Sequence, residues 1–168
     1  LKKERTVDYT NFKIIKTRKA LRRLIRYCKK TGYASVDFET NAEPFHMTSS
    51  YPTMLGVSFQ AGSGWIIPLA HFDSPFLEND EWKEIFKEFC LEVIENTDIV
   101  KIAHNLSFEY NWFMKYGYRM RGRIFDTMLA KYLLNEERPH GLKDLTANYF
   151  PDYAGYENYE GSNLPWDK

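Results

Sequence analysis

Two apolar runs of strand length flank a short turn in the first half of the chain. The runs are residues 54–59 and 64–68, and the turn between them reads Gln-Ala-Gly-Ser. Two such runs joined by a few residues that include glycine predict a β-hairpin. A third short apolar stretch, residues 33–39, precedes them. Together the three segments predict an antiparallel meander.

Apolar residues at helical spacing flank this meander on both sides. Leu21, Leu24 and Ile25 follow Thr17 at helical intervals, which predicts a helix capped by Thr17. Further helices are predicted near residues 80–93, where Asn79 or Asp80 is the expected cap, and near 107–116, 126–134 and 142–149. Short strands are predicted at 12–15, 99–103 and 124–125. Strands that alternate with helices favour parallel pairing. The predicted fold class is α/β, a mixed sheet (antiparallel meander plus parallel strands) flanked by helices. This order suits a ribonuclease-H-like fold, although the pattern alone leaves other α/β folds open.

Two carboxylates stand at the end of the first strand of the meander. Asp37 and Glu39 are two residues apart, so both side chains point to the same face of that strand. Carboxylates held at one spot repel each other, and a fold that keeps them together normally supplies a cation. Oxygen ligands suit Mg²⁺ or Mn²⁺. The alternative is a solvent-exposed strand end with two unrelated acids, since a lone Asp-x-Glu is common.

A second group of polar residues follows the strand at 99–103. Glu109 lies in the first turn of the next helix, where the helix dipole stabilises a carboxylate whether or not it has a further role. Asn105 is either the cap of that helix, which is the safer interpretation, or an amide that contacts substrate. Asp126 is expected to cap the following helix. His104 and His140 have no histidine or cysteine partner at metal-ligand spacing, so loop or supporting positions are expected for both.

Charge is distributed unevenly along the chain. Residues 1–30 contain 12 Lys and Arg and two acidic residues, whereas the chain as a whole has 23 of each sign and a net charge of zero. A basic segment of this kind attracts phosphate groups. The alternative, slightly favoured from sequence, is the solvated face of the first helix.

No apolar stretch approaches the length of about 20 residues that crosses a bilayer. Cys28 and Cys90 lie on the apolar faces of predicted helices and are interpreted as core thiols. An intracellular, cytoplasmic protein without a membrane partner is therefore expected. The chain begins with Leu1, which suggests a piece of a longer protein.

Four short motifs resemble one known family. Ser-Val-Asp-Phe-Glu-Thr (35–40) resembles the first exonuclease motif of the DnaQ-like superfamily, and His-Asn-Leu-Ser-Phe-Glu (104–109) resembles the second. Phe-Asp-Thr-Met-Leu (125–129) and His-Gly-Leu-Lys-Asp-Leu (140–145) are similar to the 3′-5′ proofreading domain of family A DNA polymerases, the DNA polymerase I type. The resemblance covers residues 20–150, and the order and spacing of the motifs are more specific than any one of them.

The resemblance implies a proofreading exonuclease that hydrolyses phosphodiester bonds at the 3′ end of single-stranded DNA with two divalent cations, Mg²⁺ or Mn²⁺. It also implies a polymerase domain C-terminal to this one in the parent chain, from a phage or a bacterium. The positions that it assigns to catalysis and metal binding are Asp37, Glu39 and Glu109, and those that it assigns to the terminal nucleotide are Phe38, Thr40 and Asn105.

The chain departs from the family pattern in two ways. The family usually has Asp where this chain has Glu109, and the longer side chain would alter the metal geometry. The family's third motif, Tyr or His followed by Asp, should lie several dozen residues beyond Asp126, where this chain has ended. The predicted organisation is an N-terminal extension (1–16), an exonuclease domain without its third motif (17–150) and a polar linker or loop (151–168).

Two other functions remain open at this level. An exoribonuclease of the RNase D type shares the first two motifs and would act on RNA. A module that keeps the exonuclease fold but has lost catalysis would also account for Glu109 and the missing third motif. Against that module, a protein with no need for metal has little reason to hold two carboxylates together.

Overall fold

A mixed β-sheet forms the centre of the molecule in the computed structural model, which describes residues 11–137 and 139–153. Residues 1–10 and 154–168, which make up most of the predicted extension and linker, lie outside the described residues. Within the described part the sheet has six strands, which are β1 (Phe12–Ile14), β2 (Tyr33–Thr40), β3 (Pro52–Ser58), β4 (Gly64–Pro68), β5 (Val100–Ala103) and β6 (Ile124–Asp126).

The strand order is β1-β4-β3-β2-β5-β6. β2, β3 and β4 pair antiparallel, which confirms the predicted meander, and β1 adds to its edge in parallel with β4. β5 pairs parallel with β2, and β6 pairs parallel with β5. The predicted parallel pairing in the second half is therefore confirmed. Its physical basis is that each of these strands is reached through a helical crossover.

Five α-helices in the described residues flank the sheet. They are α1 (Arg18–Thr31), α2 (Glu81–Phe89), α3 (Ser107–Lys115), α4 (Thr127–Leu134) and α5 (Leu142–Tyr149). A single π-helical turn, Cys90–Ile94, continues α2. None of these helices combines the length and the apolar character of a bilayer-crossing segment.

Local signals set the ends of α1 as the sequence predicts. The Thr17 hydroxyl accepts a hydrogen bond from the amide of Ala20 at 3.2 Å. Gly32 ends the helix in the left-handed region, with φ 75°, where a residue without Cβ is favoured. The first turn of α2 differs from expectation, because neither Asn79 nor Asp80 caps it with its side chain. The carboxylate of Asp80 accepts a hydrogen bond from Lys83 instead, at 2.6 Å.

An aromatic core lies between β2 and the helices packed on it. Phe38 contacts Phe113 at 4.8 Å and Phe86 at 5.9 Å between ring centroids. Trp112 is fully buried beside them. Cys28 and Cys90 are buried free thiols, as predicted. This packing buries one face of β2, and Asp37 and Glu39 lie on the opposite face.

Helices α4 and α5 are less buried than the three helices that precede them in the chain. No residue of α4 or α5 is buried, and Leu133 and Leu134 are 84% and 83% exposed. Leu129, Leu133 and Phe125 also line an open groove of about 550 Å³ between α4 and α3. Within the part of the chain that the structure describes, no other residues cover the apolar face that α4 and β6 form.

Candidate active site

The carboxyl ends of β2, β5 and β6 meet at one edge of the sheet. Ser35 of β2 lies beside Ile102 of β5, and Ala103 lies beside Asp126 of β6. Parallel neighbours in register end at the same level, so the residues that follow these pairs share one site. That edge carries Asp37 and Glu39 from β2, the turn after β5, and the last residue of β6.

Asp37 and Glu39 lie on the face of β2 that points away from the aromatic core. Both residues are exposed, whereas Phe38 between them is only 5% exposed. The alternation confirms that the two carboxylates share a face. Phe38 itself belongs to the core through its ring, and only its backbone borders the site. Thr40 is half-buried and follows a register shift between β2 and β3.

Glu109 joins the same site from the first turn of α3. Its side chain is 2% exposed, and its Oε2 atom has no hydrogen-bond partner. Burial raises the pKa of this carboxyl to about 7, and the negative charges of Asp37 and Asp126 act in the same direction. Backbone amides of Glu109 and Phe38 act in the opposite direction. A buried, unpartnered carboxylate is costly, so its presence calls for a compensating group.

Asp37 is electrostatically coupled to each of the other acids. Loss of hydration raises the pKa of Asp37, and His104 opposes that rise. Loss of hydration also raises the pKa of Glu39, and the negative charge of Asp37 adds to it. Three carboxyl groups with raised pKa values at one strand edge are a negative cluster that favours cations.

The donor set suits a hard divalent cation. Asp37, Glu39 and Glu109 offer carboxylate oxygens, the ligand type that Mg²⁺ and Mn²⁺ prefer. The Oε2 atom of Glu109 supports this assignment, because it is buried without a hydrogen-bond partner and a cation would supply one interaction partner. Within the described residues, no three His, Cys, Asp or Glu side chains are arranged so that they could hold a metal ion. The residue types therefore fit a divalent cation, whereas the side-chain positions in this structure do not form a metal site.

Asn105 does not act as the cap of α3, so that interpretation was wrong. Its backbone lies in the left-handed region with φ 61°, and Leu106 occupies the cap position without a side-chain hydrogen bond. The Oδ1 atom of Asn105 accepts a hydrogen bond from the Ser107 hydroxyl at 3.0 Å. A left-handed residue places its amide in the turn rather than over the helix end, which explains the error.

Asp126, the last residue of β6, caps the start of α3 in place of Asn105. Its carboxylate accepts hydrogen bonds from the amides of Met128 and Leu129, which confirms it as the cap of α4. The same carboxylate accepts from the amides of Asn105 and Leu106, at 3.2 and 2.8 Å. One side chain thus holds the starts of two helices together. The sequence does not indicate the second half of this role, because the starts of the two helices are 20 residues apart in the chain.

Lys115 at the end of α3 holds the loop that follows Thr40. Its Nζ donates to the backbone carbonyls of Met47 and Ser50, at 2.8 and 2.7 Å. Phe45 and Tyr51 in this loop are 42% and 41% exposed, so their rings are accessible to solvent in the loop that follows β2. No pattern in the sequence pairs Lys115 with this loop.

The two histidines singled out in the sequence, His104 and His140, lie in different parts of the structure. His104 follows β5 and its Nδ1 lies 2.9 Å from the Thr127 hydroxyl, beside the carboxylates. His140 lies outside the site, where its Nε2 hydrogen-bonds the carbonyl of Asn135. A supporting position is thus confirmed for His104 and a loop position for His140.

Comparison with known proteins agrees with this geometry. A family model described as 3′-5′ exonuclease, of the DNA polymerase A type, matches residues 12–159. DNA polymerase I of Synechocystis sp. is 27% identical over 144 residues, which cover 81% of this chain and 14% of that protein. DNA polymerase I of Borreliella burgdorferi is 29% identical over 149 residues, which cover 86% of this chain and 15% of that protein. The chain thus spans about one seventh of these relatives. Both are bacterial, and the comparisons give no support to a phage origin.

Solved structures share the fold. The EXO domain of Aedes aegypti Nibbler superposes with a TM-score of 0.68 at 9% identity, covering 95% of this chain and 78% of that one. Escherichia coli RNase D gives 0.66 at 16% identity, covering 95% and 38%. Brucella melitensis NrnC with bound Mg²⁺ gives 0.59 at 16% identity, covering 94% and 66%. At these identities the likeness concerns the fold, and it confirms the predicted ribonuclease-H-like sheet.

Proposed function

Because the chain belongs to the 3′-5′ exonuclease family, whose members are metal-dependent hydrolases, we propose that it is the proofreading domain of a DNA polymerase. It removes nucleotides from the 3′ end of single-stranded DNA. The polymerase domain lies C-terminal to it in the parent chain. The observation that carries the proposal is the buried Oε2 of Glu109, which lacks a partner beside Asp37 and Glu39.

Asp37, Glu39 and Glu109 are the residues that would hold two divalent cations, Mg²⁺ or Mn²⁺. Such cations, when bound, supply an activated water and neutralise the charge on the leaving 3′-oxygen. Asp37 would help to hold both cations, since its charge acts on both other carboxyl groups. Glu39 would help to hold the cation that activates the water and would contact the terminal 3′-hydroxyl. Glu109, which is buried, would hold the second cation.

The terminal nucleotide would be positioned by backbone groups rather than by large side chains. The backbone at Phe38 and Thr40 borders the carboxylates, and the Asn105 amide group lies in the turn held by Asp126. Phe45 and Tyr51 offer exposed rings for an unpaired base, and stacking of this kind tolerates any sequence. The substrate is therefore a single strand rather than a duplex.

The remaining metal ligand and the residue that orients the water would come from a segment beyond Asp126 in the parent chain. The uncovered apolar face on α4 and β6 supports this arrangement, because it offers a surface on which such a segment can pack. The boundaries 17–150 and 151–168 stay part of the proposal, and β1 (Phe12–Ile14), which pairs with β4, lies within the predicted extension 1–16.

The test is hydrolysis of a 5′-labelled single-stranded DNA oligonucleotide by the parent protein with Mg²⁺ or Mn²⁺. Asp37→Ala should reduce turnover by roughly 100-fold or more, since even residues that only support metal ligands cost about 10–100-fold. Asp98→Ala is a matched control at an exposed acid of the turn before β5. Equal activity of the Asp37 variant and the control would overturn the proposal.

The same assay separates the two alternative functions. An exoribonuclease is a candidate because E. coli RNase D shares the fold. It predicts faster turnover of an RNA oligonucleotide than of the matched DNA. A catalytically silent module predicts no Mn²⁺ binding by calorimetry in the parent protein.

A further inference from the structure

One face of α1 carries a stripe of four exposed cations. Lys19, Arg23, Arg26 and Lys30 follow each other at intervals of four, three and four residues. At about 100° per residue these positions fall within an arc of roughly 60°, on the side opposite to the buried residues Leu21, Leu24, Ile25 and Cys28. We call these four residues the basic stripe. It faces solvent along about 16 Å of helix, at roughly 1.5 Å per residue.

The other cations of α1 are neutralised by neighbouring acids. Arg18 pairs with Glu81 at 3.0 Å, Arg22 pairs with Glu88 at 2.9 Å, and Lys29 pairs with Glu92. No ion pair or side-chain hydrogen bond joins the basic stripe to another residue within 11–137 and 139–153. The fold thus divides the helix into a neutralised flank and a flank of uncompensated positive charge. Such a flank attracts a polyanion.

The basic stripe leads into an aromatic cleft. The cleft has a volume of about 290 Å³, and its lining includes Lys13, Tyr27, Lys30 and Trp65. Tyr27 is 39% exposed and stacks on Phe59 at 4.9 Å, so it presents ring surface at a fixed position. Lys13 lies over the Trp65 ring at 5.3 Å. All the charged residues that line the cleft are cations.

This cleft is separate from the carboxylate site. Its residue Thr31 lies two positions before Tyr33, where β2 begins, and Asp37 lies four positions further along that strand. At about 3.3 Å per residue Tyr33 and Asp37 lie about 13 Å apart along the strand. Trp65 of the cleft pairs with Val57, which pairs with Val36, so the side chains of Trp65 and Asp37 lie on opposite faces of the sheet. A ligand in the cleft therefore does not occupy the candidate active site.

We propose that the basic stripe and the aromatic cleft form a second binding site for single-stranded DNA. The stripe contacts successive phosphates, and an unpaired base stacks in the cleft on Tyr27. Phosphate neutralisation by Lys and Arg gives affinity without sequence preference, and aromatic stacking selects single strands over duplex. An anionic membrane fits less well, because the apolar side of α1 is buried and has nothing to insert.

The choice of DNA rests on the proposed function, but the binding test does not use catalysis. Binding of fluorescein-labelled oligo(dT) to the 168-residue chain is followed by anisotropy in EDTA. Arg23→Gln with Arg26→Gln should weaken binding by about tenfold and reduce the salt slope by about 1.4, at about 0.7 per phosphate contact of a single strand. Arg22→Gln with Lys29→Gln removes two ion-paired cations from the same helix and should weaken binding less than threefold.

Equal weakening by the two double variants would overturn the proposal, because it would show dependence on net charge alone. Displacement of the oligonucleotide by phosphatidylserine vesicles at the same lipid-phosphate concentration would also overturn it. Loss of hydrolysis in Asp37→Ala with unchanged anisotropy would support the second site independently of the active site.

The stacking step has its own test. An oligonucleotide with abasic positions should bind the wild-type chain about tenfold more weakly than oligo(dT), because stacking contributes about 1–3 kcal/mol per base. Tyr27→Leu should lose most of this preference, and the part that remains is the contribution of other rings such as Phe45 and Tyr51. Tyr33→Leu, which changes an exposed tyrosine outside the cleft lining, should keep the preference in full. Because the comparison is between two ligands of one variant, a modest loss of stability does not confuse it. A preference retained in full in Tyr27→Leu would overturn the stacking step.

Discussion

The carboxylate of Asp126 accepts a hydrogen bond from the backbone amide of Leu106, with Oδ2 and N 2.8 Å apart. Asp126 ends β6, and Leu106 occupies the cap position immediately before α3. The same carboxylate caps α4. Glu109 lies in the first turn of α3, so Asp126 holds the turn from which this buried acid reaches Asp37.

We expect Asp126→Ala to lower the free energy of unfolding by about 1–4 kcal/mol. A single helix cap contributes about 0.5–2 kcal/mol, and Asp126 serves two helix starts. Urea unfolding measures the change. Asp80→Asn is the matched control, because Asp80 stands at the start of α2 without capping it and pairs with exposed Lys83. The control should leave the free energy of unfolding nearly unchanged, because exposed ion pairs contribute little to stability. Equal losses in the two variants would exclude the double cap.

Glu109 should make the metal-free protein less stable as pH rises from about 4.5 to about 7. Its pKa is raised in the folded state from 4.5 to about 7, so the folded protein binds more protons than the unfolded chain in this range. Stability that is present below pH 4.5 is therefore lost as Glu109 ionises, by on the order of 1–3 kcal/mol. Unfolding in urea with EDTA at pH 5 and pH 8 measures it.

Glu109→Gln is the companion variant for that experiment. Glutamine keeps the size of the side chain and does not ionise, so the decline between pH 5 and pH 8 should become smaller. The variant should also be more stable than the wild type at pH 8 without metal. An unchanged pH dependence would show that another group causes the decline.

Mn²⁺ should stabilise the protein through the carboxylate cluster. A ligand that binds only the folded state adds about 2.7 kcal/mol at 100 times its dissociation constant. The thermal midpoint should therefore rise on Mn²⁺ addition and return with EDTA. Asp37→Ala should abolish the rise while its midpoint in EDTA stays equal to or above that of the wild type, because one repulsive charge is removed. A full Mn²⁺ response in this variant would place the cation elsewhere.

Lys115→Met should loosen the loop between Asn41 and Tyr51. The variant loses the hydrogen bonds from Nζ to the carbonyls of Met47 and Ser50. Chymotrypsin should then cut near Phe45 several-fold faster under native conditions, because local opening exposes the loop. Lys83→Met, which removes an exposed ion pair on α2, is the control and should leave the rate unchanged. An unchanged rate in both variants would show that Lys115 does not restrain the loop.

Local patterns predict most of the elements. The turn at residues 60–63 fixes the hairpin, and Thr17 and Asp126 mark helix starts, because each of these signals acts over a few residues. The predictions that were wrong also concern short-range features, namely two helix caps. Asn105 and Asn79 have the composition of caps, but both adopt left-handed backbone conformations that take the side chain away from the helix end. Composition does not encode that choice.

The sequence by itself determined the α/β order, the shared face of Asp37 and Glu39, and the family resemblance. Only the tertiary structure decided that Glu109 is buried without a partner for Oε2, that Asp126 joins two helices, and that three of the seven cations of α1 are neutralised. The physical reason is the separation along the chain over which each interaction acts. Side-chain alternation and helix caps depend on neighbours in the chain, whereas burial and charge pairing depend on which distant elements the sheet order brings together.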